Sequence, residues 1–323
     1  MFFKGKHVLV AGGTGMIGIP LVELLLQEGS EVRVASLDDL VRSNIDTEFI
    51  QTDLSHLNNC LNVCKGINFV FNLLGVKGSP AVTTRKPASF LYPTAKMELN
   101  MLEASRLQGV SGYMFTSSIA VYSPASIFYE DDVWESFPSK NDWFSGWSKR
   151  FGELQVEAYK IEYGWNDIFI VRPANVYGPF DNFDGKNSMV VPSLIRKALS
   201  GENSINVWGS GDAVRDFIHS RDVAKGMVLL AEKKPQKPVN LGSGKGYSIK
   251  ELVSTIISNI NPKPNVYWDK SKPVGDKQRV MDISRAESYG FSPKISLQQG
   301  IKEVIEWYMN NNYSNSRYDV FNK

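Results

Sequence analysis

Gly12-Gly-Thr-Gly15-Met-Ile-Gly18 stands directly after the apolar run His7 to Ala11 and opens the helix-period segment Ile17 to Gln27. Few local patterns restrict a fold so tightly. Gly12 permits a tight turn, Gly15 lets a phosphate approach the backbone, and Gly18 lets helix and strand pack closely. Thr14, Met16 and Ile17 complete the turn, whose exposed N–H groups and helix dipole favour a pyrophosphate. A glycine triplet alone is a weak signal, but the strand before it and the helix after it mark a dinucleotide-binding loop.

Apolar β-like runs continue at Glu31 to Ser36, Glu48 to Gln51, Asn68 to Leu74 and Tyr113 to Ser117, alternating with helical segments such as Ala95 to Leu107. The alternation predicts right-handed βαβ units and a doubly wound parallel sheet, an α/β Rossmann domain over residues 1–178. Beyond Pro179 the elements shorten, with helices expected at Ser188 to Leu199, Asp222 to Glu232, Ser248 to Asn259 and Ser296 to Asn310. They predict a smaller C-terminal α/β substrate domain over 179–323, with later segments crossing back, and a tail from Asn310 to Lys323 polar enough to fray.

The second strand ends in Val34-Ala-Ser36-Leu-Asp38-Asp39, about twenty residues past the glycines, where a carboxylate meets a ribose 2′-hydroxyl. NAD is therefore expected over NADP, although Arg33 and Arg42 lie close in sequence. With 323 residues and 42% hydrophobic content the chain can bury a large core. Its net charge of +2 is spread without a basic run, which argues against nucleic acid or a membrane surface as partner. No apolar stretch reaches the roughly 20 residues of a bilayer span. The N-terminus runs into a strand without a signal-peptide pattern, so a cytoplasmic protein is expected. Cys60 and Cys64, the only cysteines, lack the partners of a zinc site and read as reduced structural thiols with no metal.

Four further segments carry a resemblance: Phe115-Thr-Ser-Ser118-Ile-Ala-Val-Tyr122, Ser145-Gly-Trp-Ser-Lys149, Val171-Arg-Pro173-Ala-Asn175-Val-Tyr-Gly178-Pro179 and Val207-Trp208-Gly-Ser-Gly-Asp-Ala-Val-Arg215. Over roughly residues 6–310 the chain resembles the extended short-chain dehydrogenases/reductases, the NAD-dependent epimerase/dehydratase family, and within it GDP-sugar enzymes such as the GDP-fucose synthases. The resemblance makes Ser118 the hydroxyl that steadies the reacting sugar oxygen and Lys149 the cation that holds the nicotinamide ribose. It puts Asp53 and Leu54 at the adenine, Leu74 and Gly75 beneath the riboses and Pro173 against the nicotinamide. Asn175, Arg215 and Arg279 would contact the substrate diphosphate, with Val190 and Trp208 on the side of a guanine base. It further implies a role in polysaccharide sugar biosynthesis and a homodimer formed through the helices Ala95 to Leu107 and Ser148 to Tyr163.

Three departures narrow the chemistry. Ser145 stands where the family carries Tyr, whose phenol has a pKa of about 10 that a nearby cation lowers; serine is a poorer acid and shorter by a ring. Ile119-Ala120 replaces the Asp-Glu of the dehydratases, and Ala120 and Met189 replace the Cys and His of 3,5-epimerisation. What remains is NAD-dependent hydride transfer at one carbon, C4 of a hexose or heptose in a nucleotide sugar. The proton path stays open among Ser118, a water beside Ser145, Tyr122 and Tyr177. A 4-epimerase and a non-catalytic NAD-binding regulatory protein are the alternatives.

Overall fold

The computed structural model describes residues 1–39, 46–184, 187–272, 274–311 and 321. β1 (His7–Ala11) is buried at every position but its first, as a central parallel strand with helices on both faces must be. It leads into α1 (Gly18–Gln27), β2 (Glu31–Ser36), β3 (Glu48–Gln51), α2 (Leu57–Val63) and β4 (Phe69–Asn72). α3 (Pro80–Arg85), α4 (Pro87–Leu107), β5 (Gly112–Thr116), β6 (Ile127–Phe128), α5 (Trp143–Tyr163), β7 (Ile168–Pro173) and β8 (Asn175–Tyr177) follow. The remainder is α6 (Val190–Ala198), β9 (Ser204–Trp208), β10 (Val214–His219), α7 (Ser220–Lys233), β11 (Val239–Leu241) and β12 (Gly246–Ser248). α8 (Ile249–Ser258), β13 (Asn265–Asp269), β14 (Gln278–Met281), α9 (Ser284–Ser288) and α10 (Leu297–Asn310) complete it.

Seven strands form one parallel sheet in the order β11-β7-β5-β4-β1-β2-β3. The winding reverses between β1 and β4, and a crevice opens there at the strands' carboxyl ends. One face is packed by α1 and α7 through Leu21, Val22, Leu25, Val223 and Met227. The other is covered by α2, α4 and α5 through Cys60, Val63, Met101, Leu102 and Val156. A second sheet, β12-β10-β14-β6 with β8 on β10, and the parallel pair β13-β9 build the smaller unit. Its own core joins α6, α8 and α10 through Leu194, Ile195, Leu252, Ile256, Ile301 and Val304. β6 and β8 leave the first half to join it, while β11 returns to the large sheet.

The first three strands keep their expected bounds, whereas Asn68 to Leu74 shortens to β4 and Tyr113 to Ser117 shifts back to β5. In both cases the chain quits the ladder early to line the crevice. α4 begins at Pro87 rather than Ala95 although Pro93 lies inside it and lacks a donor. Phe90, buried against Val82 and Phe321, secures those early turns. α5 likewise begins at Trp143, not Ser148, so Ser145 to Lys149 all sit in its first two turns. The expected tail lies mostly outside the described residues, and its described member Phe321 is buried.

Cys60 and Cys64 are unpaired and buried, and burial pushes their thiols up to about 12 and about 11. Both therefore stay protonated at neutral pH. Among the described residues no helix is long and apolar enough to cross a membrane.

Candidate active site

A cavity of about 460 Å³ opens at the reversal point of the large sheet. Gly12, Thr14, Gly15, Met16, Ile17 and Gly18 form one wall, with Ser36, Asp38, Leu54, Leu74 and Gly75 beside them. Ser118, Pro173, Asn175 and Val190 close the other end. Fifteen sequence-predicted residues separated by up to 178 positions are thus sorted by the fold into one crevice.

The glycine loop has the shape a dinucleotide requires. Gly12 has φ +83°, and a Cβ on Gly18 would lie 2.6 Å from the Gly13 Cα, so neither position admits a side chain. The start of α1 carries no side-chain cap, which leaves its N–H groups at Met16 to Gly18 facing the cavity. Thr14 Oγ1 lies 2.7 Å from Ser36 Oγ, and Ser36 Oγ accepts the Asp38 N–H at 3.2 Å. That chain of bonds holds Asp38 at the wall, where the sequence places a ribose-binding acid. Asp53 is not a wall residue; its carboxylate accepts the Ser55 N–H at 2.9 Å, while its neighbours Thr52 and Leu54 do line the cavity. Arg33 turns away, with Nε 2.8 Å from Glu48 and Nη1 donating to the Val63 and Lys65 carbonyls. Arg42 lies outside the described residues.

At the far end, Ser118 ends the loop after β5 and begins a 3₁₀ turn over Ile119–Val121. Its Oγ accepts the Ala120 N–H at 3.2 Å, which leaves the O–H to donate into the cavity. Lys149 stands behind Gly75: its Nζ is 3.6 Å from where a Cβ on that glycine would be. The ammonium donates to Thr116 O at 2.9 Å and Leu74 O at 3.2 Å and lies 2.6 Å from Glu98 Oε1. Glu98 is almost fully buried on α4; burial pushes its carboxyl up, opposed by the Lys149 charge. Gly146 docks α5 on the Ser118 segment, since a Cβ there would lie 2.4 Å from Ala120 O and 2.5 Å from Pro138 Cβ.

Ser145 itself is outside the cavity walls and its Oγ donates to Asp142 O at 3.0 Å, within its own helical turn. The two tyrosines considered as proton carriers are also elsewhere. Tyr122 donates to Asn240 Oδ1 at 2.5 Å and accepts from Arg172, while the Tyr177 hydroxyl is buried against Gly300. Burial pushes both phenols upward, so neither can ionise to serve this crevice. Among the described wall residues there is no Tyr, His or Cys. Met189 is a wall residue without a titratable group, and Ala120 is buried in the 3₁₀ turn.

Of the residues expected at the substrate, Asn175 and Val190 line the cavity, whereas Trp208, Arg215 and Arg279 do not. Arg215 and Arg279 are register partners on β10 and β14. Arg279 pairs with Asp142 Oδ2 at 2.5 Å and donates to Ile119 O at 3.2 Å. Arg215 donates to Val214 O and Val274 O, and burial with the neighbouring Arg279 charge lowers its pKa. Trp208 is half exposed at the end of β9. The sequence reading missed Glu98, Asp142 and Lys77. A helical Glu or a loop Lys carries no local signal of its partner; only packing brings Glu98 to Lys149 and Lys77 to Asp181.

The model of the NAD dependent epimerase/dehydratase family matches residues 8–242. A GDP-L-fucose synthase of Sinorhizobium fredii is 32% identical over 317 residues, 95% of this chain and 96% of its own length. A dTDP-4-dehydro-6-deoxy-D-allose reductase of a Streptomyces species is 30% identical, over 95% of this chain and 97% of its own. Among solved structures, the UDP-glucose 4-epimerase of Thermotoga maritima superposes with a TM-score of 0.82 at 25% identity, covering 94% of this chain and 99% of that one. With the glycine loop, the sheet order and the crevice agreeing, the chain belongs to the NAD dependent epimerase/dehydratase family, whose nicotinamide cofactor these walls are shaped to hold.

Proposed function

We propose that the protein is an NAD-dependent nucleotide-sugar oxidoreductase that transfers hydride at C4 of a hexose or heptose carried on a nucleoside diphosphate, GDP favoured. The observation that carries this reading is the cavity itself. It holds the Ser118 hydroxyl with the Lys149 ammonium behind Gly75, yet no Tyr, His or Cys among its described wall residues to exchange protons at carbon. Hydride transfer at one oxygen-bearing carbon needs no such second group, whereas dehydration and 3,5-epimerisation do. The relative named for reducing a 4-dehydro sugar supports the position of attack.

Asp38 at the wall and Arg33 drawn away to Glu48 support NAD over NADP. When bound, the nicotinamide gives or takes the hydride. Ser118 donates its O–H to the sugar oxygen and steadies the charge that develops there. Each of the three ammonium hydrogens of Lys149 has a partner inside the protein, in Glu98, Leu74 O and Thr116 O. Lys149 accordingly acts as a positioned positive charge, and contact with a ribose requires one of those partners to yield. Asn175, Arg215 and Arg279 are assigned to the diphosphate, which would draw Arg279 from Asp142, and Trp208 to the base. A homodimer through α4 and α5 completes the reading, supported by exposed Phe151 and Leu154 on α5 and Tyr92 on α4.

Reduced-nicotinamide absorbance of the purified protein, loaded with NADH, tests this. One nucleotide-linked 4-keto sugar should discharge the band, and Ser118→Ala or Lys149→Met should slow the discharge by roughly 10²-fold or more. Full rate in both variants overturns the assignment. Interconversion of two nucleotide sugars without net cofactor change identifies a 4-epimerase, the activity named for the superposing Thermotoga structure. No response to any nucleotide sugar leaves a non-catalytic NAD-binding regulator.

A further inference from the structure

Asp181 is almost fully buried yet lines the cavity, and its Oδ2 has no hydrogen-bond partner among the described residues. A carboxylate oxygen in that position is costly unless something donates to it. The other oxygen, Oδ1, is engaged twice, by the Lys77 ammonium and by the Asn182 N–H at 2.7 Å. The geometry points to Asp181 as a sugar-recognition residue: its Oδ2 accepts hydrogen bonds from hydroxyls of the hexose moiety, with Lys77 holding the carboxylate in place through Oδ1.

The placement supports this assignment over a purely structural one. In sequence Asp181 lies between Asn175 and Val190, which with Ser118 close the end of the cavity away from the glycine loop, and Lys77 reaches it from the segment after Gly75. The wall is also rigid. Asn187 accepts the Ser79 N–H at 2.7 Å and donates to Lys77 O at 3.0 Å, clamping the segment after β4 to the segment after β8. Asn182 holds the same turn through its bonds to Asp184 N and Asn187 O. An acceptor held in this way suits a polyhydroxylated ligand, because a charge-assisted bond to a hydroxyl forms without reorganising the protein. A ketone or ether oxygen at that point would instead face an unpaired anion and be rejected.

The inference rests on the nucleotide-sugar reading above, and its test separates the two. NAD-loaded wild type and Asp181→Asn are titrated calorimetrically with GDP, UDP and dTDP, each alone and each carrying a hexose. The expected result is one diphosphate that binds both proteins equally, while the extra affinity contributed by the hexose falls about 10-fold or more in the variant. That pattern is one a merely structural role would not produce, since misfolding weakens both ligands together. An equal hexose increment in the two proteins, or no increment in the wild type, overturns the role of Asp181 alone. Failure of every diphosphate to bind the wild type overturns the nucleotide-sugar reading with it. Loss of diphosphate binding in the variant, or loss of its cooperative thermal transition, assigns Asp181 to the scaffold and also overturns the proposal.

Discussion

Ser145 stands where the family resemblance expects a tyrosine, while the surrounding charges persist. Its hydroxyl donates to the Asp142 carbonyl, so it has been absorbed into the helix rather than presented to substrate. Lys149 remains, held by the buried Glu98 at 2.6 Å, a pair whose burial is tolerable because each ion offsets the other's desolvation. Restoring the phenol should therefore restore an acid to a site already equipped to lower its pKa. Ser145→Tyr is expected to raise kcat by roughly 10-fold or more, within the range general acid catalysis supplies. Steady-state turnover of the sugar that discharges the NADH band checks it, and an unchanged kcat means proton transfer does not limit the reaction. The glycines were legible from their spacing between a strand and a helix, and Ser118 and Lys149 from the family resemblance of their segments. Glu98 was not, because a Glu in an amphipathic helix looks solvent-facing until α5 packs over it.

The helices carry constraints their periodicity does not reveal. α7 is capped by His219, whose Nδ1 accepts the Arg221 N–H at 3.2 Å and must therefore be unprotonated. Burial, aided by the Arg221 charge, lowers its pKa from 6.5 to about 4. Between those values the unfolded chain binds a proton that the folded chain refuses, so the contribution is present above pH 6.5 and is lost as pH falls towards 4. The loss amounts to roughly 3 kcal/mol at most. Asn at position 219 keeps a capping acceptor without titrating. Urea denaturation from pH 7 to 4 should show a shallower decline in His219→Asn than in the wild type, and parallel declines would assign the acid sensitivity to carboxylates. At α5 the expected helix was correct in kind but five residues short at its start, because Gly146 can be crowded against Ala120 only once the 3₁₀ turn is in place.

At the scale of the molecule, α5 presents Phe151, Leu154 and Ile161 to solvent, 49%, 48% and 77% exposed, at the spacing of one helical stripe. Exposed Tyr92 on the neighbouring α4 adds to the same side of the sheet. A monomer has little reason to keep such a stripe, and a second copy of the pair would cover it. Sedimentation velocity should find a dimer that Phe151→Asp with Leu154→Asp converts to a monomer, while NAD binding survives. A wild type that sediments as a monomer removes the homodimer from the reading.

The sequence by itself determined the doubly wound sheet and the dinucleotide loop, since each depends on residue type and spacing within a few turns of chain, and the family resemblance marked Ser145 as standing in a tyrosine's place. Only the tertiary structure decided that Tyr122 and Tyr177 face away from the crevice, that Asp142 occupies Arg279, and that Lys77 meets Asp181 across 104 positions. These are contacts between segments distant in the chain. Their partners are chosen by how helices and loops pack over the sheet, which no local pattern of hydrophobicity or charge encodes.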